Sequence, residues 1–323
     1  MNGRLALSQK QFAKCFSAFG IWFMLLLIVV VMGMASDVFL SASNIVNILR
    51  QTAIVGVLAV GMTFVIIGAN IDLSVGATIA FSAVVAISLQ PVDISSAVIA
   101  ILIPLVAGAA VGAVNGVLVG YFKFNTFITT LGMQFVVLGG TLLFTGGQHV
   151  WVFESYPIFE KIGNGFIGSV PLSVILLLSV VILGQFLLSF TNFGQYLKTA
   201  GENPEAAKLS GIRVERVIFL SFLIVGFCAG LGGVVLASWV KNMDPGTGIG
   251  YEFEAITAVV LGGTSLLGGQ GNVTNTFAGA LILVIIGNAM TLLNISYHYQ
   301  LMVRGIIIIA AVSLEIASRR KSK

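Results

Sequence analysis

Asp72 is the ionisable residue of this chain with the most chemistry open to it. It lies in Gly68-Ala69-Asn70-Ile71-Asp72-Leu73-Ser74-Val75-Gly76, a polar break between two apolar runs. An ionisable group beside a membrane-crossing segment is a functional hypothesis by default. Two roles are open to it: with Ser74 it caps the following helix, accepting from free backbone N–H groups, or it touches a polar solute. The carboxamides of Asn70, Asn115 and Asn288 each offer donors and an acceptor, and they complete the candidate set for lining a solute path. A second break, Gly262-Gly263-Thr264-Ser265-Leu266-Leu267-Gly268-Gly269-Gln270-Gly271-Asn272, has the same character. Irregular backbone survives near the bilayer only when buried in protein or facing water. Glycine-interrupted segments in two parts of a chain therefore point to a transport pathway.

Other chemistries find no support. The glycine run at 268–271 lacks the lysine and hydroxyl of a phosphate loop, so ATP hydrolysis is not expected here. His149 and His298 are the only histidines and have no cysteine or carboxylate at ligand spacing. No metal or cofactor is expected. No Ser–His–Asp or paired-carboxylate arrangement stands out, so the chain is not expected to be an enzyme. Charges inside the apolar runs are few, with Asp72 and Arg304 at edges and Glu315 near the last inner end. A proton- or sodium-driven carrier needs more such groups, and the energy source is expected on another polypeptide.

The elements that must position these residues are membrane helices. Of 323 residues, 58% are hydrophobic and 9% charged, with mean hydropathy +1.06; soluble domains carry about 25% charge. Crossing about 30 Å of hydrocarbon takes roughly 20 helical residues. Ten runs fit, at 19–36, 52–69, 73–90, 95–119, 126–145, 170–189, 217–238, 254–268, 273–293 and 301–317, the eighth being short and broken by Gly262 and Gly263. The expected fold is an all-α polytopic transmembrane helix bundle, one domain over 1–323. Arg4, Lys10 and Lys14 before the first run mimic a signal peptide, but the run is too long and lacks a clean cleavage site, so it is read as a span. With the N-terminus inside, twelve of sixteen basic residues are cytoplasmic, all but Arg50, Lys161, Lys241 and Arg304. This is the usual bias, and it places both termini in the cytoplasm. Topology thus accounts for the net charge of +4, and no nucleic-acid partner is expected. Cys15 and Cys228 are expected to pack or stay free.

Gly108, Gly112, Gly116 and Gly120 flatten one face of the fourth run, and Gly226 and Gly230 repeat the pattern in the seventh, which predicts close helix contacts inside one subunit or between two. Thr145–Val170 is the longest outer loop, with Trp151 and Tyr156 read as interface aromatics. Phe190–Arg216 is the longest inner loop and the most polar stretch, either a partner site or a solvated connector.

Three segments in order, Ala59–Gly76, Gly201–Ile212 (GENPEAAKLSGI) and Gly246–Gly279, resemble permease subunits of bacterial ABC importers for monosaccharides of the ribose, xylose and galactose type. The resemblance runs from about Asn44 onward, with a tail at Gln300–Gly305. It implies a pore subunit working as a pair, homodimeric or heterodimeric, in the bacterial inner membrane. Its implied partners are a cytoplasmic ABC ATPase and an extracytoplasmic sugar-binding protein, beside the lipid bilayer. Gly201, Glu202, Asn203, Ala206, Ala207, Ser210 and Gly211 would form the loop resting on the ATPase. A short helix over Pro204–Ser210, ended by Gly211, would transmit its closure. Asn70 and Asn275 stand where the family often has glycine, and Thr257 where alanine is common. Another small polar solute, such as a sugar-derived signal or an amino acid, and a stand-alone sugar carrier or channel remain the alternative readings.

Overall fold

A computed structural model describes residues 20–320; Arg4, Lys10, Lys14, Cys15, Lys321 and Lys323 lie outside them. The described residues form thirteen helices and four two-residue strands. Six helices are long and apolar enough to cross a membrane: α2 (Ala42–Ile67), α4 (Ile94–Gly116) with a π-helical continuation over Val117–Tyr121, α5 (Thr126–Thr145), α7 (Leu172–Phe190), α10 (Val214–Val240) and α12 (Val273–Leu292). Two shorter apolar helices, α1 (Gly20–Ala35) and α3 (Val75–Ser88), flank α2 in sequence. The remaining helices are α6 (Pro157–Asn164), α8 (Asn192–Glu202), α9 (Pro204–Leu209), α11 (Tyr251–Leu261) and α13 (Tyr297–Arg320). The chain is an all-α membrane bundle. The run expected at 254–268 overlaps α11, whose 11 residues reach only about 16 Å, too short to cross alone.

α2 is the axis of the bundle, enclosed by α7, α10, α11 and α12. It begins ten residues before the expected span because Asn44, Asn47, Arg50 and Gln51 interrupt the apolar run. These polar residues are accommodated by partners distant in sequence. Asn44 Nδ2 donates to Asn288 Oδ1 at 3.0 Å, and Asn288 Nδ2 donates back at 2.8 Å. Arg50 donates to the Asn164 carbonyl at 2.9 Å and lies 5.1 Å from the centre of the Phe166 ring. α4 starts with a capping box, Asp93 Oδ1 accepting from Ser96 N at 2.8 Å. The Ser96 amide and hydroxyl hold the exposed Asp93 carboxyl below its ordinary range.

The predicted glycine faces meet each other, α4 against α10. A Cβ on Gly112 would stand 3.0 Å from the Gly226 Cα, and one on Gly108 would stand 2.8 Å from the Gly230 nitrogen. No side chain fits in that seam, so dispersion contact between two backbones holds it. At the other end of α10, Asn242–Met243 pairs antiparallel with Val150–Trp151, and Gln90, just past α3, donates to the Trp151 carbonyl at 3.2 Å. This small ribbon ties the ends of α3, α5 and α10 together.

Candidate functional site

Asp72 and Asn115 come together, fully enclosed. Asp72, 1% exposed, accepts on Oδ1 from the Ser74 amide at 2.8 Å and the Ser74 hydroxyl at 2.6 Å. Asn115, from the last turn of α4, donates to Ser74 Oγ at 2.9 Å and more weakly to Asp72 Oδ2 at 3.4 Å. Among the described residues, Asn115 Oδ1 has no partner. Asp72 therefore closes a turn at the entry to α3, and Ser74 gives the helix no side-chain cap. That differs from the cap expected of the pair: the Ser74 hydroxyl is already spent on Asp72. The π-helical segment begins two residues after Asn115, at the position in a helix where such distortions often mark functional sites. Thr126 on α5 donates to the Ile71 carbonyl at 2.9 Å, pinning the same break from the other side. Asn70 donates to its neighbour Gly68 O at 2.7 Å, while Ala69 takes the left-handed conformation at φ 58°.

The second break folds against the first. Gly269 N donates to the Ile67 carbonyl at 2.9 Å, at the C-terminal end of α2. Gly201, near the end of α8, presses on this contact. A Cβ there would collide with the Ile67 carbonyl oxygen and lie 2.8 Å from the Gly269 nitrogen. Gly268 and Gly269 adopt φ of 84° and 78°, and the backbone of Glu202 lies against Gly269. The two breaks and Gly201–Glu202, far apart in sequence, thus share one junction. Gln185 of α7 accepts from Val273 N at 3.0 Å and caps the start of α12 beside it.

From this junction the chain enters α9. Asn203 Oδ1 accepts from the Glu205 and Ala206 amides at 3.1 and 3.0 Å, Pro204 occupies the first turn, and Ser210 donates to the Ala206 carbonyl at 2.9 Å. Gly211, at φ 82°, ends the helix as expected. Ala206 faces solvent, whereas Ala207 is buried with Ala200 and Val214. The apolar residue presented outward is Leu209, 91% exposed.

Asn288 lies apart from the Asp72 cluster, at the other end of α2. It lines a cavity of about 500 Å³ between α2, α11, α12 and α13. Thr257 lines it as well, its hydroxyl donating to the Phe253 carbonyl at 2.6 Å. Two carboxylates at the start of α11 escaped sequence reasoning. Glu252, 1% exposed, accepts from Gln134 Nε2 at 3.1 Å and Gly250 N at 3.0 Å, and its carboxylate fills the space over Gly76. Glu254 pairs with Arg304 of α13. Drawing the eighth span from residue 254 hid both. Two acids in the first turn of an apolar helix were the signal available. Asn275, by contrast, enters only the capping of α12, its amide donating to Asn272 Oδ1 at 3.1 Å.

The geometry is that of a membrane helix bundle broken by two polar segments, and its relatives are transport proteins. The chain is 35% identical to the ribose import permease protein RbsC of Haemophilus influenzae, over 96% of this chain and 93% of the relative. It is 37% identical to RbsC of Bacillus subtilis over 92% and 91% of the two chains. It is also 35% identical to the D-allose transport system permease protein AlsC of Escherichia coli, over 94% and 93%. No solved structure matches the chain. Residues 44–312 match the family described as branched-chain amino acid transport system / permease component. With one family covering nearly all of its helices and relatives aligned almost end to end, the chain belongs to that permease family.

Proposed function

We propose that the chain is the transmembrane permease subunit of an ATP-driven ABC importer that carries a monosaccharide across a bacterial cytoplasmic membrane. Relatives named for ribose and allose support the sugar. The observation that carries the ATP-driven reading is the junction of Gly201 and Glu202 with both glycine breaks. Pressure on α8–α9 from a cytoplasmic ATPase reaches the end of α2 and the start of α12 directly. Leu209, exposed at the tip of α9, is the side chain offered to that ATPase.

In this reading the chain crosses the membrane ten times with both termini cytoplasmic, α11 and the segment before it making one crossing together. An extracytoplasmic binding protein delivers the sugar, and a second permease subunit completes the pore. Asn288 stands at the outer stage of the path, with Asn70, Asp72 and Asn115 at its inner stage. ATP hydrolysis belongs to the partner. The test is mild-detergent purification of the tagged chain from its own membranes, followed by mass spectrometry and reconstitution. A stoichiometric ATPase that drives sugar uptake is the expected outcome. Sugar transport by the isolated chain with no ATPase present would overturn the proposal.

A further inference from the structure

The cavity between α2, α11, α12 and α13 has a lining suited to one kind of ligand. Its volume of about 500 Å³ falls within the roughly 300–1,000 Å³ of small-molecule sites. Its polar groups include Asn47 and Gln51 from α2, Glu254 from α11, Asn288 from α12, and Gln300 and Arg304 from α13, set among aliphatic side chains. Trp239 and Tyr251 add aromatic surface. Sugar hydroxyls each donate and accept at once. Carboxamides, a carboxylate and a guanidinium supply both halves of that bonding, while aromatic faces take the C–H surface of the ring.

Charge narrows the choice further. The one cation on the lining, Arg304, is already paired with Glu254, so the pair adds no net charge. A phosphate or other anionic headgroup would meet a carboxylate beside its only counter-charge. A neutral polyol meets neither cost. Several of these groups have bonding capacity left. Arg304 carries five N–H donors, one of them given to Glu254. Gln51 gives one N–H to Asn47 Oδ1 at 3.3 Å, and a second N–H and its carbonyl oxygen remain for a ligand.

We infer that this cavity is a monosaccharide-binding station inside a single subunit, with the Glu254–Arg304 pair and the Asn47 and Gln51 amides as its hydroxyl contacts. The inference deepens the sugar-permease reading and rests on it. Gly287 opens a direct test, because a Cβ there would point into the cavity, meeting nothing nearer than Arg304 Nη2 at 3.9 Å. Gly287→Val projects two methyl groups into the site beside Arg304, where they obstruct a ligand, and Gly287→Ala leaves most of it open.

The experiment uses the full complex with its ATPase and binding protein in proteoliposomes, with D-ribose, D-allose and L-arabinose as probes. Every variant is first checked for membrane insertion and co-purification with the ATPase. The expected result is a loss of about tenfold in ATP-driven uptake for Gly287→Val and near-normal uptake for Gly287→Ala. Gln51→Leu is expected to raise the half-saturating sugar concentration about tenfold with the maximal rate held, a split that lost packing alone does not produce. Wild-type transport with unchanged uptake and half-saturation in Gly287→Val and Gln51→Leu overturns this inference alone. The same unchanged uptake accompanied by loss of co-purified phospholipid would assign the cavity to a lipid, with the same consequence. Failure of the wild-type complex to take up any of the three sugars overturns the sugar reading, and the inference with it.

Discussion

A buried carboxylate is tolerated when the groups around it donate to it. Asp72 receives two close bonds from Ser74, and Asn115 completes the set through the Ser74 hydroxyl. Removing the carboxylate strands the Ser74 amide and one donor of Asn115 in a site closed to water. Asp72→Ala should therefore destabilise the protein by about 1–3 kcal/mol, the penalty for unpaired buried polar groups. Asp72→Asn keeps an oxygen acceptor and should lose less. Thermal unfolding in detergent, read with uptake on the same preparations, checks both. Unaltered melting of Asp72→Ala would remove the structural role assigned to the cluster. Uptake lost in an Asp72→Asn protein of normal stability would support contact with the solute as well.

Among the elements, the α4–α10 seam admits no side chain. Gly226→Val would drive methyl groups into Gly112, whose Cα already stands 2.8 Å from the added Cβ position. Overpacking of this kind costs about 1–3 kcal/mol, and it should appear as a lower melting temperature and less monodisperse protein on size exclusion. Gly140 of α5 has open space around its Cβ position, so Gly140→Ala should be neutral or slightly stabilising by helix propensity. Equal behaviour of the two variants would show that the seam does not constrain the fold. α11 is an element whose shortness has a use. Starting beyond the loop at 244–250, it brings Glu252 to Gln134 of α5 and Glu254 to Arg304 of α13, tying two helices that share no seam.

At the scale of the whole molecule, the proposed importer takes in force and solute at opposite ends of α2. Its C-terminal end receives Gly201 and Gly269, and its N-terminal half faces the Asn288 cavity. In the proposed importer, Leu209 is the side chain that grips the ATPase. Burying a leucine is worth about 1.5–3 kcal/mol, so Leu209→Glu should weaken ATPase association by about 10–100-fold. Co-purification and ATP-driven uptake should fall together, with membrane insertion intact. Normal uptake in that variant would rule out α9 as the docking element. Ala207→Arg is a poorer probe, because Ala207 is buried against Ala200 and Val214 and the arginine would break the α9 fold itself.

Hydrophobicity and glycine spacing by themselves determined a membrane helix bundle and the close-packing faces of α4 and α10. Those features depend on local composition and on periodicities a single helix carries. The family resemblance implied the α9 turn ended by Gly211, while the structure showed that the two glycine faces meet each other. Tertiary structure alone decided that the two glycine breaks meet at Gly201, because that contact joins residues 67, 201 and 269 through backbone atoms. It also separated Asn288 from Asp72 and Asn115, candidates that residue type alone could not tell apart. Glu252, Glu254 and Gln134 were hidden for the same reason. A buried charge is legible only when its partner is known, and these partners come from helices more than forty residues away.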